Sequence, residues 1–220
     1  MPQFLAYALS VFFHPLLIAT YMISILLLVN PYLFGANNML DRWPLIAMML
    51  FNTFLVPSFM VLMLKQLGFV KTLEMEDREE RIIPYILVGF FYISMTVFFI
   101  YNPEIPTAFT SFMLGTTIAL FVAFFINLFS KISAHAVGMG GLVGMIAITT
   151  WLFSYGAFQI SIGHLATYQI NMILLLAFAL LLSGLVGTAR LRLGAHTMED
   201  LMGGYLVGFI SQLIALRFLF

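Results

Sequence analysis

Long apolar runs separated by short polar breaks dominate the chain, and their spacing is the one a bilayer imposes. A spanning helix needs about 20 mostly apolar residues. Candidate runs extend from about Phe4 to Val29, Pro44 to Leu64, Pro84 to Tyr101, Pro106 to Leu128, His135 to Tyr155, Ala166 to Thr188 and Asp200 to Phe220. Prolines head several of them, as expected of a residue that suits the first turn of a helix. Pro15 and Pro57 fall inside runs and predict kinks. The pattern predicts an all-α fold, a polytopic integral membrane bundle of six or seven transmembrane helices forming a single domain over residues 1–220. The opening stretch MPQFLAYALS has no Lys or Arg ahead of its apolar run and no evident cleavage site, so it reads as a retained first helix.

Composition narrows the picture. Apolar residues make up 63% of the chain and charged residues 8%, with a mean hydropathy of +1.08, whereas a soluble domain is about a quarter charged. Six or seven spans use up the 220 residues and leave no room for a separate soluble domain. Nine basic and nine acidic residues cancel, so the basic field that nucleic-acid binding requires is missing. With no cysteine, disulfides, thiol redox chemistry and thiolate metal sites are excluded.

The charges are unevenly placed. Half of them lie between Lys65 and Arg81, and Lys131, Arg190, Arg192, Glu199 and Asp200 bring the total in three breaks to fourteen of eighteen. Counting helices puts these three breaks on one face of the membrane and leaves Asp41, Arg42, Glu104 and Arg217 for the other. A positive-inside bias counts only Lys and Arg. Acidic and basic residues are equally concentrated here, which points to a polar site at one interface.

Three segments on that face carry candidate chemistry. In TARLRLGAHTMED, His196 and Asp200 are four apart and share a face if the last helix begins near Ala195. A carboxylate there can take the proton of one ring nitrogen and leave the other as nucleophile or base; the competing reading is a charged helix start beside an interfacial histidine. In SKISAHAVGMGG, Ser133 and His135 stand at a helix N-terminus, where backbone N–H groups favour an anion and a histidine can protonate a leaving oxygen. Equally, Ser133 can cap the helix while His135 faces headgroups, with Lys131 snorkelling. Lys71 and Arg78 are seven apart and share a face if their segment is helical, able to grip a phosphate together. The competing reading is a solvated helix of alternating charge.

In this order and on one face, the three segments resemble the three motifs of the type 2 phosphatidic acid phosphatase superfamily, over roughly residues 71–208. Arg190, His196 and Asp200 match the third motif, with Ala189 in place of its leading serine. Ile132-Ser133-Ala134-His135 stands where that family has Pro-Ser-Gly-His, and Lys71 and Arg78 match the first motif with Glu79 replacing its proline. Arg81 is the alternative to Arg78. By matching position, the resemblance implies that His196 attacks phosphorus to form a phosphohistidine and that Asp200 orients it. It implies that His135 protonates the leaving group and then activates water, and that Lys71, Arg78, Ser133, Ala134 and Arg190 hold the phosphoryl oxygens. No metal and no cofactor is implied. The expected substrate is a lipid phosphate or diphosphate (isoprenoid diphosphate, phosphatidic acid, phosphatidylglycerol phosphate or lipid A type), and the expected setting is the outer, periplasmic face of a bacterial inner membrane. The alternative is a degenerate relative that binds or moves anionic lipids without turnover.

Small residues four apart on the last three helices, among them Gly140, Gly144, Ser183, Gly187, Gly204 and Gly208, allow close helix approach. His14 and His164 match none of the motifs and receive no catalytic role.

Overall fold

A computed structural model describes residues 1–73, 75, 77–162 and 166–220. Among the described residues the fold is all-α apart from one pair of strands. Its elements are α1 (Gln3–Phe12), α2 (Pro15–Val29), α3 (Trp43–Leu50), α4 (Val56–Gln66), α5 (Ile82–Tyr101), α6 (Thr107–Phe129), α7 (Ala134–Ile148), β1 (Ala157–Ile162), β2 (Ala166–Asn171), α8 (Met172–Arg192) and α9 (Met198–Leu219). Among the described residues, 6 helices are long and apolar enough to cross a membrane, α3 and α4 counting as one, and α1 with α2 forms a further pair bent by 61°.

The two internal prolines act differently. Pro15 cannot donate a hydrogen bond back to the preceding turn, and the residue before a proline is driven to extended backbone. His14 accordingly has φ −61° and ψ 136° and becomes the N-cap of α2, its ring accepting the Leu16 N–H. The expected single first helix is therefore broken into two at Phe13 and His14. Pro57 instead follows a wider π-type turn, Phe51–Leu55, which absorbs the missing donor so that α3 and α4 continue as one span.

Residues 157–162 and 166–171 correct the expectation that a helix begins at Ala166. They pair as two antiparallel strands with Phe158 opposite Ile170 and Ile160 opposite Tyr168. Isoleucines, threonine and aromatics suit a pleated strand. The helix can start later because α8 alone, 21 residues long, is about 31 Å at 1.5 Å per residue, enough to cross. Asn171 caps it by accepting the Ile173 N–H at 2.7 Å. α7 likewise stops at Ile148 and passes through a π-type turn to Phe153, short of the expected Tyr155.

α7 is the most buried span and packs closely on α9. Glycine makes this possible: a methyl group on Gly208 would run into the Val137 carbonyl, and one on Gly140 into the Tyr205 backbone. The same approach brings the start of α9 to the start of α7, where the Ser133 N–H donates to the Asp200 carbonyl at 3.3 Å. α5 and α6 join this end through Asn127 Nδ2, which donates to the Arg78 carbonyl at 2.9 Å. At the other end, Arg42 pairs with Glu104 at 3.5 Å and Asn30 bonds the Phe153 carbonyl. The charged breaks thus meet at one end of the bundle.

Candidate functional site

Asp200 sits in the first turn of α9, where a carboxylate suits the positive end of the helix. It forms a capping box with Thr197: Thr197 Oγ1 accepts the Asp200 N–H at 3.3 Å and Asp200 Oδ2 accepts the Thr197 N–H at 3.0 Å. The same Oδ2 lies 3.2 Å from Nδ1 of His196, whose side chain is 2% exposed. The helix therefore begins at Met198 rather than near Ala195, and the cap, not a shared helical face, brings the pair together. A carboxylate only accepts, so Nδ1 carries the proton and Nε2 keeps its lone pair.

Two guanidinium groups flank this pair. Arg81 is anchored through Nε to the Met75 carbonyl at 2.9 Å and through Nη1 to the Ile132 carbonyl at 3.2 Å. Its Nη2 has no hydrogen-bond partner among the described residues. Arg190, in the last turn of α8, has a buried Nε with no partner. Among the described residues neither arginine has a carboxylate within salt-bridge distance. Both guanidinium groups are half-buried and act electrostatically on the His196 ring, a concentration of positive charge able to receive an anion. The Tyr85 hydroxyl, on the same cavity wall as Arg81, is also buried without a partner.

His135, in the first turn of α7, donates from Nε2 to the Ser10 carbonyl at 2.9 Å, since a carbonyl can only accept. Its Nδ1 is left for chemistry. Ala134 lines the cavity beside it, whereas Ser133 is fully buried and caps α7 by accepting the Ala136 N–H at 3.4 Å. His135, His196, Arg81, Arg190 and Ala134 share the wall of one cavity of about 420 Å³. From this polar end the cavity runs between Ile18 and Met22 of α2, Val61 and Leu62 of α4, and Val88 and Tyr92 of α5. Arg81 to Tyr92 spans about 16 Å of helix rise, half of a hydrocarbon core about 30 Å thick.

Lys71 and Arg78 stand outside this cavity. Residues 67–73 are not helical, so the two do not share a helix face. Lys71 is 78% exposed and pairs with Asp77 at 3.5 Å and Glu80 at 3.6 Å. Arg78 donates to the Phe129 carbonyl at 2.5 Å, bracing the end of α6.

Two residues missed by the sequence reading line the cavity: His14 and Tyr85. Tyr85 follows Arg81 by one helical turn, a spacing that carries no distinctive signal. His14 could have been found only by treating His-Pro as a helix break, since the break turns its ring to within 5.8 Å of His135, edge to face. His164 lies outside the described residues.

Burial and the nearby Arg81 charge pull the His196 pKa from 6.5 down to about 4, against the opposing Asp200 hydrogen bond and charge. The lowered value keeps the imidazole neutral, with its nucleophilic lone pair, from pH 8 to about 5. An unfolded chain takes up this proton below pH 6.5, so the group's effect on folding is nil well above that value, grows more destabilising as pH falls from 6.5 to about 4, and stays at its full size below that. We expect nitrogen-15 histidine NMR to show His196 neutral at pH 5.5, and Arg81→Gln to move its titration upward. A midpoint at or above 6.5 in the unaltered protein would contradict the arrangement.

No family model, no curated protein and no solved structure matches the chain.

Proposed function

We propose that the protein is an integral membrane phosphatase that removes a phosphate from a lipid phosphate or diphosphate through a phosphohistidine at His196. The observation that carries the reading is the pairing of an oriented, neutral imidazole with two arginines that have no carboxylate partner among the described residues, at the polar mouth of an apolar cavity. Phosphoryl transfer needs chiefly positioning and positive charge around the phosphoryl oxygens, and the chain supplies both.

In this reading the His196 Nε2 lone pair forms a bond to phosphorus as the bond from phosphorus to the leaving oxygen breaks. His135, held through Nε2 by the Ser10 carbonyl, takes a proton at Nδ1 from the bound substrate phosphate and gives it to that oxygen. Water then attacks phosphorus and passes a proton to His135. The N–P bond breaks, its electron pair returns to Nε2, and phosphate leaves. Asp200 holds the Nδ1 proton throughout. Arg81 Nη2 and Arg190 take the phosphoryl oxygens, and the apolar cavity takes the lipid chain.

Arg81 fills the place that the family resemblance gives to Arg78, and Ser133 acts through the α7 cap rather than on the substrate. On this reading the site opens at the outer face of a bacterial inner membrane, a placement that the resemblance alone supports. The test is phosphate release from a panel of lipid phosphates and diphosphates by detergent-purified protein in chelator. Release supports the phosphatase; binding without release from any lipid would favour the relative that carries anionic lipids.

A further inference from the structure

Resting on that phosphatase reading, we propose that His14 binds the leaving phosphate of a lipid diphosphate, so that the site prefers a diphosphate to a monophosphate. The broken α1–α2 pair delivers two groups to the cavity. The Ser10 carbonyl fixes His135, and His14 adds a third imidazole in edge contact with it at 5.8 Å. His14 Nδ1 accepts the Leu16 N–H at 3.4 Å, which puts the ring proton on Nε2. That Nε2–H has no hydrogen-bond partner among the described residues, and the ring lines the cavity.

A tally of donors shows what His14 is for. A monophosphate ester offers one phosphoryl group and one leaving oxygen. In this reading Arg81, Arg190 and His196 attend the first and His135 the second, and His14, in edge contact with His135, lies on the side of the leaving group. A diphosphate has a second phosphoryl group beyond the bridging oxygen, next to His135 on the side of the leaving group. There the His14 Nε2–H meets an anionic oxygen. Arg190 lies close enough to act electrostatically on all three imidazoles, so one cation serves the whole group.

The step balances as before, with a different leaving group. His196 Nε2 bonds to the terminal phosphorus and the bond from that phosphorus to the bridging oxygen breaks. The departing lipid monophosphate keeps the electron pair and takes the His135 proton on that oxygen. His14 donates a hydrogen bond to a non-bridging oxygen of the departing phosphate and keeps its proton. Water completes the cycle and inorganic phosphate is released.

The experiment compares farnesyl diphosphate with farnesyl monophosphate, which share one tail, in kcat/KM measured on the full-length protein in detergent. The expected wild-type ratio favours the diphosphate by at least about tenfold, as a site built to hydrogen-bond a group discriminates against an analogue lacking it. His14→Asn keeps an acceptor for the Leu16 N–H, and so the start of α2, but loses the distal donor. It should bring the ratio close to one. His14→Gln, whose amide nitrogen can occupy the Nε2 position, should restore part of it. A role confined to folding would lower both activities together and leave the ratio intact, and that result would overturn the proposal, as would a wild type that does not distinguish the two. Failure of the wild type to release phosphate from either substrate would instead overturn the phosphatase reading on which the proposal rests.

Discussion

His196→Ala should lower phosphate release from a lipid phosphate by at least about a thousandfold, the scale of loss when a covalent nucleophile is removed. The expectation follows from the placement of the ring. Its Nδ1 is committed to Asp200 at 3.2 Å and its side chain is 2% exposed, so Nε2 is the nitrogen left to react. Asp200→Asn should cost less, because the amide can still contact Nδ1 but no longer offsets the positive charge that develops on the ring. Its amide can also accept a hydrogen bond from Thr197, so the cap of α9 survives. Comparing the two variants in one phosphate-release assay separates the nucleophile from its orienting partner. Equal activity in wild type and His196→Ala would remove the mechanism.

The second large effect concerns the arginines. Arg81→Gln should lower kcat/KM by about a hundredfold or more, the usual loss when one preorganised donor to a developing charge is removed. Arg78→Gln should stay within a few fold, because Arg78 donates to the Phe129 carbonyl outside the cavity. The same phosphate-release measurement on both proteins decides the matter. Loss in Arg78→Gln with retention in Arg81→Gln would return the phosphate-binding role to the residue that motif spacing selects.

That contrast shows where a linear reading meets its limit. Spacing makes Lys71 and Arg78 neighbours only if the segment between them is helical. The chain instead turns irregularly after Gln66, and Met75 adopts a positive φ of 47°. Its carbonyl accepts from Arg81 Nε, so the bend that separates Arg78 from the cavity helps to aim Arg81 into it. His196 and Asp200 were legible because their contact is local: four residues apart, they meet even though the helix begins two residues after His196. The spans were legible because each is a long apolar run, as the length of the bilayer core demands. The strand pair over 157–162 and 166–171 was hidden because its residues are apolar enough to extend a helix, and their alternation is a weaker signal than the run that follows. His14 was hidden for a different reason. Its partner His135 is 121 positions away in sequence, and only the 61° break at Pro15 brings the two rings together.

The glycines join the two parts of the account. The helix that carries His135 and the helix that begins just after His196 approach backbone to backbone at Gly140, Gly204 and Gly208, and the bond from the Ser133 N–H to the Asp200 carbonyl locks their starts. The spacing of small residues in the sequence therefore serves the site as well as the bundle, by bringing the proposed acid and the proposed nucleophile to one cavity wall.

The most direct test of the central claim is chemical trapping of the intermediate. Purified protein is mixed with a lipid phosphate carrying a labelled terminal phosphate, quenched within the first turnovers in alkali, digested, and read by mass spectrometry. The account predicts an acid-labile, alkali-stable phosphate on the peptide containing His196, absent from His196→Ala. Rapid phosphate release with no label on His196 in wild type would contradict it.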